Sequence, residues 1–169
     1  MPHRSGIGLL ARPPKPVSAS RTHTVRLMLP AEANNLGSVF GGIILAEIDR
    51  VAYITASRHA LAPCVTASFD RVDFIAPVHV GDVVQFDGQV TFVRRTSMEI
   101  WIQVSAERID AEQPQLVGNA FVTMVAINAS GHPIPVPELV VTTDEERDRF
   151  EKGRQRMDER RKTRAGPGR

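Results

Sequence analysis

The sequence predicts an α+β fold in which a curved antiparallel sheet wraps around one long helix. Three observations predict this fold: a short alternating run comes first, a stretch with helical periodicity follows it, and four long alternating runs come after the helix. Turn residues separate those four runs, and such a meander of long alternating strands suggests an antiparallel sheet. The sheet then covers the apolar face of the helix. The expected element order is βαββββ.

The first strand is expected after a disordered leader. Residues 1–20 are rich in Pro, Gly and Ser and show no hydrophobic period, which is typical of a disordered segment. The run 22–29, THTVRLML, alternates and predicts a strand. One of its faces carries Val25, Leu27 and Leu29. Pro30 ends the strand, and we expect the folded domain to cover residues 21–140.

The long helix is predicted for residues 39–60 and contains one carboxylate in an unusual position. Its apolar arc consists of Ile44, Leu45, Ile48, Val51, Ala52 and Ala56, and its polar arc of Glu47, Arg50, Ser57 and Arg58. Asp49 falls beside the apolar arc, away from any cation of its own helix. Such a carboxylate is costly unless it is paired, hydrogen-bonded or used. Two interpretations stay open: Asp49 bonds a structural group or water, or it handles a water molecule in a cleft.

Two glycines, Gly41 and Gly42, lie at the start of this helix. Backbone N–H groups in the first helical turn have no helical acceptor, and here they could stabilise an oxyanion. Close packing of the helix on the sheet is the alternative explanation for the glycine pair.

Four further strands are predicted over 64–75, 83–94, 98–109 and 116–128. In the second of these runs Val84, Phe86, Gly88, Val90 and Phe92 face one way, and in the third Met98, Ile100, Ile102, Val104 and Ala106 do so. Runs of about 11–12 residues exceed the usual strand length of roughly 5–6. Such long strands suit a sheet that curls around another element.

Residues 141–169 are predicted to form a charged C-terminal helix and tail. The sequence from Thr143 to Glu146 has the pattern of a capping box. Of the 28 residues from 142 to 169, 17 are charged, which indicates a solvated helix that frays into RAGPGR. Two roles stay open for it, a solubilising or packing tail and an arm that binds a partner.

The charge distribution argues against a nucleic-acid-binding domain. Residues 1–21 carry four basic and no acidic side chains, and residues 142–169 carry ten basic and seven acidic ones. The segment 22–141 carries seven basic and twelve acidic residues, so the net charge of +2 hides an acidic folded domain. Nucleic-acid binding would need a basic stripe on that domain.

Composition also limits location and redox chemistry. No apolar run reaches the length of a membrane span, and prolines interrupt the N-terminal segment where a signal peptide would need its apolar region. We therefore expect a cytoplasmic protein without membrane contact. The single cysteine, Cys64, excludes an internal disulfide and a cysteine-rich zinc site, and a buried apolar thiol is its expected role.

Several segments taken together resemble the hot-dog acyl-CoA hydrolases, in particular the subfamily of the brain-type cytosolic enzyme and its short bacterial relatives. These segments are NNLGSVFGG (34–42), VDFIAPVHVGD (72–82), RTSMEI (95–100) and AFVTMVAINASGHPIPVP (120–137). The resemblance covers about residues 22–138. It implies a single hot-dog domain that hydrolyses fatty acyl-CoA to free fatty acid and coenzyme A, without metal or cofactor. It also implies a homodimer, which in this family often becomes a trimer of dimers.

The resemblance assigns the catalytic pair to Asn34 and Asp49, the positions that match the asparagine before the helix and the acid within it. Asp49 is then the general base, or a direct nucleophile, and Asn34 of the partner protomer positions the water or the thioester. Gly41 and Gly42 are the expected oxyanion donors.

Coenzyme A carries phosphates, so its groove should present cationic or N–H donors. The candidates are Arg94, Arg95, Thr96 and Ser97 at a strand–strand turn, and Arg58 and His59 at the helix C-terminus. A solvated turn is the alternative for the first group, and complementation of the helix dipole for the second.

Three other functions stay possible at the level of sequence. The first is a non-catalytic acyl-CoA-binding module of the same fold, against which the presence of both Asn34 and Asp49 argues. The second is a hydratase, although the interior of the helix offers no histidine before His59. The third is a scaffold that recruits partners through its charged C-terminus.

Overall fold

A computed structural model describes residues 12–164 of the chain. In chain order its elements are β1 (Lys15–Pro16), β2 (Thr22–Leu27), α1 (Gly41–Ala60), β3 (Cys64–Phe74), β4 (Val83–Val93), β5 (Ser97–Glu107), β6 (Gln115–Ala126), β7 (Leu139–Val140) and α2 (Asp144–Arg164), with 3-10 turns at Val17–Ala19 and Pro30–Glu32. The series from β2 to β6 confirms the predicted α+β fold and its βαββββ order. None of the helices within this range has the length and apolar composition that crossing a membrane requires.

The main sheet is antiparallel throughout and has the strand order β2-β4-β5-β6-β3. The strand before the helix and the strand after it therefore form the two edges. Helix α1 lies across one face of this sheet, and its predicted apolar arc is buried there except for Leu45, which is partly exposed. The buried helical residues include Ile44, Ile48, Val51, Ala52 and Ala56, and those of β5 are Met98, Ile100, Ile102, Val104 and Ala106, as predicted.

Helix α1 approaches β4 closely at Gly88. A Cβ atom at that position would lie 2.7 Å from Oγ1 of Thr55 and 2.8 Å from Cγ1 of Val51. Only glycine leaves room for the helix here. The helix itself begins two residues later than predicted, because Val39 still donates a backbone hydrogen bond of 2.8 Å to the Val78 carbonyl.

The prediction that Phe92 shares a face with Val84 and Phe86 is wrong. The β4–β5 register shifts between Val90 and Phe92, so Phe92 lies opposite Glu99 and points to the other side of the sheet. There its ring packs against Phe150 of α2, with ring centroids 4.9 Å apart. One extra residue at a β-bulge inverts the alternation that follows it.

The inner face of β2 meets the helix through polar side chains. Thr55 donates a hydrogen bond of 2.9 Å to Oγ1 of Thr22, and Arg26 forms an ion pair of 2.6 Å with Glu47. The apolar residues of the strand face outward and are about half exposed: Val25, Leu27 and Leu29.

The prediction of a disordered leader over residues 1–20 is wrong for residues 12–20, and residues 1–11 lie outside the described range. Strand β1 pairs in parallel with β7, and Val17 is buried. Nζ of Lys15 donates to the carbonyl oxygens of Arg58 at 2.5 Å and His59 at 3.3 Å. This cation satisfies carbonyls at the C-terminus of α1, which have no helical partner.

One face of the C-terminal helix packs on the sheet, while most of its other side chains are exposed. Helix α2 lies across the outer face of the sheet, where arginines cover aromatic rings. Arg149 lies 3.9 Å from the ring centroid of Trp101, and Arg156 lies 3.9 Å from that of Phe121. Its inner face combines Phe150 and Met157 with arginines, whose long apolar stems pack on the sheet. Residues 165–169, on which the predicted fraying depends, lie outside the described range.

A buried carboxylate anchors this helix. Glu99 of β5 is 0% exposed and accepts two hydrogen bonds from Arg156, at 2.9 and 2.7 Å, and one from Thr91 at 2.7 Å. A Cβ atom at Gly153 would lie 2.7 Å from the same carboxylate.

The predicted capping box at the start of α2 is partial. Oγ1 of Thr143 accepts from the N–H of Glu146 at 3.1 Å, but the Glu146 carboxylate accepts from Thr142 and not from Thr143.

Candidate active site

Asp49 is hydrogen-bonded to the edge strand that follows its helix. Oγ1 of Thr66 in β3 lies 2.6 Å from Oδ1 of Asp49 and donates to it. Within residues 12–164 no lysine, arginine or histidine forms a salt bridge with this carboxylate. Asp49 therefore bonds a residue of another element, as expected if its role is structural. That partner is a neutral hydroxyl and not a cation.

The same carboxylate lines an open cleft between α1 and the start of β3. The cleft has a volume of about 490 Å³ and is lined by Asp49, Arg50, Tyr53, Ile54, Cys64, Val65 and Thr66. This volume lies within the range of small-molecule sites, about 300–1,000 Å³. Within the described residues, Oδ1 of Asp49 accepts a hydrogen bond and Oδ2 accepts none. Oδ2 is therefore able to accept a proton from a water.

Thr66 was not predicted from the sequence. It lies in the segment CVTASF, and threonine is common in strands, so its residue type carried no signal. The contact across the fold identifies it.

Cys64 lines the cleft as a buried thiol, as predicted. The residue is 5% exposed, and Sγ lies 3.6 Å from the Ala62 carbonyl oxygen. Burial raises the pKa of the Cys64 thiol above its ordinary value of 9.0, against a smaller lowering from a hydrogen bond with Ser57. The thiol is therefore protonated at neutral pH and a poor nucleophile.

Asn34 is held in a loop that leads to the helix. Its Oδ1 accepts from the N–H groups of Leu36 at 2.8 Å and Ser38 at 3.2 Å, and its Nδ2 donates to Oγ of Ser38 at 2.9 Å. A side-chain amide has two acceptor sites and two donors. One N–H of Asn34 is therefore left for a ligand, and this residue can act only as a donor.

The helix N-terminus lies beside a second open cleft, of about 350 Å³. It is lined by Ser38, Val39, Gly41, Ile44, Phe74, Ile75, Ala76, Pro77 and Val78. The N–H of Ile43 donates to the Phe40 carbonyl at 2.9 Å, whereas in the described structure the N–H groups of Gly41 and Gly42 have no recorded acceptor. A Cβ at Gly42 would also clash with the exposed ring of Phe40.

One chain does not join these groups into one site. Asp49 follows Gly41 by eight residues, which at 1.5 Å per residue places it about 12 Å further along the helix. No hydrogen bond links Asn34 to Asp49 in the described residues; both side chains bond within their own surroundings.

The predicted coenzyme A residues fall into two places. In the turn, the N–H of Arg94 donates to the Ser97 carbonyl at 2.8 Å, and the Arg94 guanidinium pairs with Asp158 of α2. Arg95 is exposed. Thr96 and Ser97, together with Arg94, line a cleft that also includes residues of α2.

Arg58 and His59 have structural partners. Arg58 donates to the Arg21 carbonyl at 3.0 Å, and the His59 ring is 0% exposed, with Nε2 lying 3.1 Å from the Pro137 carbonyl oxygen. The His59 side chain presents no surface to a ligand, which contradicts its predicted role in binding coenzyme A. Lys15, not this pair, caps the helix carbonyls.

Across residues 12–164 no group of three His, Cys, Asp or Glu side chains is placed to hold a metal ion.

The chain is similar in sequence to known hydrolases. The family model described as the thioesterase superfamily matches residues 36–111. The uncharacterised acyl-CoA thioester hydrolase YkhA of Bacillus subtilis is 39% identical over 119 residues, which cover 70% of this chain and 69% of that protein. The cytosolic acyl coenzyme A thioester hydrolase of Rattus norvegicus is 37% identical over 145 residues, which cover 85% of this chain but only 38% of the rat protein.

Solved structures are similar over nearly the whole chain. An apo-hexameric acyl-CoA thioesterase has a TM-score of 0.87 and 41% identity, with 93% of this chain and 100% of that chain covered. The acyl-CoA hydrolase of Staphylococcus aureus, solved in complex with butyryl coenzyme A, coenzyme A and coenzyme A disulfide, has a TM-score of 0.84 and 33% identity. The match covers 90% of this chain and 93% of that chain.

Variants of the S. aureus hydrolase have also been solved, in which an asparagine, an aspartate or a threonine is replaced by alanine. In that enzyme the aspartate follows the asparagine by 15 residues, and the threonine follows the aspartate by 17. The same separations relate Asn34 to Asp49 and Asp49 to Thr66 in this chain.

Proposed function

The chain belongs to the thioesterase superfamily, and on this premise we propose that it hydrolyses fatty acyl-CoA to free fatty acid and coenzyme A. The observation that carries the proposal is the hydrogen bond between Thr66 and Asp49 at the mouth of an open cleft. The S. aureus hydrolase supports the assignment of Asp49 and Thr66 to the site. The asparagine, aspartate and threonine that were replaced by alanine in that enzyme have the same separations along the chain as Asn34, Asp49 and Thr66.

Asp49 acts as the general base in this proposal. Thr66 fixes Oδ1, and Oδ2 takes a proton from a water whose oxygen attacks the thioester carbonyl carbon. The tetrahedral intermediate collapses as the C–S bond breaks, and the proton held by Asp49 goes to the departing sulfur. Direct attack by the Asp49 carboxylate, to form an anhydride that water then hydrolyses, is the alternative route to the same products.

Asn34 and the helix N-terminus supply donors to the reacting carbonyl or the water. The remaining N–H of Asn34 positions one of these oxygens, because both acceptor sites of its amide are occupied. The N–H groups of Gly41 and Gly42 take the negative charge that develops on the carbonyl oxygen, helped by the positive end of the helix dipole.

A second copy of the chain completes the site. The distance of about 12 Å along the helix between Gly41 and Asp49 is too long for both to contact one carbonyl. Strand β3 is an edge of the sheet, and several of its apolar side chains are about half exposed, among them Val65, Phe69 and Phe74. In the proposed dimer this edge pairs with that of a second copy, and Asn34 of one protomer lies near Asp49 of the other. The hexameric state of a solved relative supports further assembly of dimers.

The proposed reaction uses neither a metal nor a cofactor, because the coenzyme A thiolate is a good leaving group. The proposed location is cytoplasmic, which is supported by the cytosolic hydrolases among the relatives.

Release of free thiol from acyl-CoA tests the proposal. A ladder of substrates from acetyl- to stearoyl-CoA should reveal turnover and its chain-length range, and Asp49→Asn should remove nearly all of it without loss of fold. A non-catalytic acyl-CoA-binding module would bind the same ligands in a calorimeter and release no thiol. An active Asp49→Asn protein would remove the assignment of the base.

A further inference from the structure

Leu36 is the most exposed leucine of the described residues. Its side chain is 91% exposed, whereas the next most exposed leucine in that range, Leu61, is 66% exposed. Hydrogen bonds hold the turn that carries it: the N–H of Leu36 donates to Oδ1 of Asn34 at 2.8 Å, and the N–H of Gly37 donates to the Asn34 carbonyl at 3.1 Å. The turn thus fixes an apolar side chain next to Asn34, and covering that side chain is favourable because it removes apolar area from water.

The cleft beside Asp49 has apolar walls that one chain leaves open. Tyr53 of α1 lies on one side of this cleft and Val65 of β3 on the other, and both side chains are about half exposed. Ile54 and Cys64 add further apolar surface between them. With a volume of about 490 Å³, the cleft has room both for a substrate chain and for a side chain from outside that covers it.

The proposed dimer brings the exposed leucine to this open cleft. In that dimer Asn34 of one protomer lies near Asp49 of the other. The Cα atom of Leu36 lies within about 7 Å of that of Asn34, because two residues of extended chain span no more than that. Leu36 therefore lies beside Asp49 of the other protomer, where Tyr53 and Val65 offer the neighbouring apolar surface.

We propose that Leu36 of one protomer covers the Asp49 cleft of the other and that the acyl chain of the substrate packs between this leucine and the walls formed by Tyr53 and Val65. This inference rests on the proposed hydrolysis of acyl-CoA at a site shared between protomers. The acyl chain is the part of the substrate that suits an apolar enclosure, because the amides and phosphates of coenzyme A need polar partners. Asn34 then acts on the carbonyl or the water, and Leu36 contacts the carbons beyond the carbonyl and so determines specificity.

The dependence on chain length tests the contact with the acyl chain. Steady-state kinetics are measured with even-numbered acyl-CoA substrates from acetyl to octanoyl. In Leu36→Ala the loss of kcat/KM should grow with chain length, from less than about twofold with acetyl-CoA to about tenfold with octanoyl-CoA. Leu27→Ala is the matched control, because it shortens a half-exposed leucine of β2 at the opposite edge of the sheet, and it should change none of these values.

Mixed dimers show which protomer supplies the leucine. Dimers formed from Asn34→Ala and Asp49→Ala chains have one intact site, with Asn34 from the Asp49→Ala chain and Asp49 from the other. Leu36→Ala added to the Asp49→Ala chain puts the alanine at this intact site, so the rate of octanoyl-CoA hydrolysis by the mixture should fall about tenfold. The same substitution in the Asn34→Ala chain alters only the inactive site and should leave the rate unchanged.

Each outcome has one interpretation. An equal loss at every chain length, or equal rates in the two mixtures, would overturn the role of Leu36 while leaving the hydrolase intact. A parent mixture without activity would show that the site is not shared and would overturn it as well. If the wild-type protein released no thiol, the proposed function would fail, and calorimetric titration with octanoyl-CoA would still decide the contact. Weaker binding to Leu36→Ala than to Leu27→Ala would support it, and equal binding or none would overturn it.

Discussion

The hydroxyl of Thr66 and the carboxylate of Asp49, 2.6 Å apart, join the edge strand β3 to the central helix. The bond holds Oδ1 of the carboxylate and so fixes the direction of Oδ2. Because Thr66 touches Asp49 rather than the reacting atoms, we regard it as a positioning residue. Its contribution should therefore appear in kcat and not in substrate affinity.

Replacement of Thr66 by valine should lower kcat by about ten- to a hundredfold, because a hydrogen bond to a charged group is worth about 1.5–3 kcal/mol. Thr66→Ser keeps the hydroxyl and should restore most of the rate. KM and the thermal midpoint should change little in both variants. A Thr66→Val enzyme with a normal kcat would show that Asp49 needs no such support.

Mixing of two inactive variants tests whether the site is shared between protomers. Asn34→Ala and Asp49→Ala each destroy both sites of a homodimer. A mixed dimer has one intact site, formed by Asn34 of one chain and Asp49 of the other. Random exchange at equal amounts should therefore restore about a quarter of the wild-type rate.

The mixture should first be unfolded and refolded together so that the protomers exchange. Each variant treated alone is the control. If both residues of one site came from a single chain, every chain in the mixture would lack one of them, and no activity would return.

The periodic parts of the fold were predictable because burial imposes a period. The alternation of β5 and the apolar arc of α1 both face the shared core, and both were predicted residue by residue. The prediction was wrong where one residue changed the phase, at the bulge before Phe92. A bulge leaves no mark in hydrophobicity, so its effect on Phe92 could not be predicted.

The packing of α2 could not be predicted for a different reason. Its buried face uses arginine stems, a glycine and two apolar residues, and hydropathy counts arginine as polar. The partners that make this face suitable are Trp101, Phe121 and Glu99, which lie on the outer sides of strands and precede the arginines that contact them by 48, 35 and 57 residues. Asp49 stood out because a carboxylate beside an apolar arc is unusual, whereas a strand threonine such as Thr66 is not.

Removal of the partner of Glu99 should destabilise the protein strongly. Arg156→Leu leaves a fully buried carboxylate without its cation, which typically costs about 3–5 kcal/mol in the free energy of unfolding. Arg154→Leu, on the exposed side of α2, should change it by less than about 0.5 kcal/mol. Urea unfolding followed by circular dichroism measures both.

The double variant Glu99→Met with Arg156→Leu separates charge burial from packing. Without the carboxylate there is no unpaired buried charge, so most of the lost stability should return. If the double variant were as unstable as Arg156→Leu alone, the arginine stem on Phe121 would be the main contribution instead of the ion pair.

Stability in mild acid should depend on the buried ring of His59. Burial lowers the pKa of His59 below its ordinary value of 6.5, the bond to the Pro137 carbonyl offsets part of this, and the charge of Lys15 lowers it further. The unfolded chain therefore binds a proton near pH 6.5 that the folded protein does not yet bind. The free energy of unfolding should fall as pH drops below about 6.5, by up to about 1.4 kcal/mol per pH unit, until the folded ring is protonated.

His59→Gln isolates this contribution, because glutamine can still donate to Pro137 and does not titrate in this range. Urea midpoints at pH 7 and pH 5 should differ less in the variant than in the wild-type protein. All other residues are the same in the two proteins, so their contributions cancel in the comparison. An equal loss of stability in the two proteins would assign the acid sensitivity to groups other than His59.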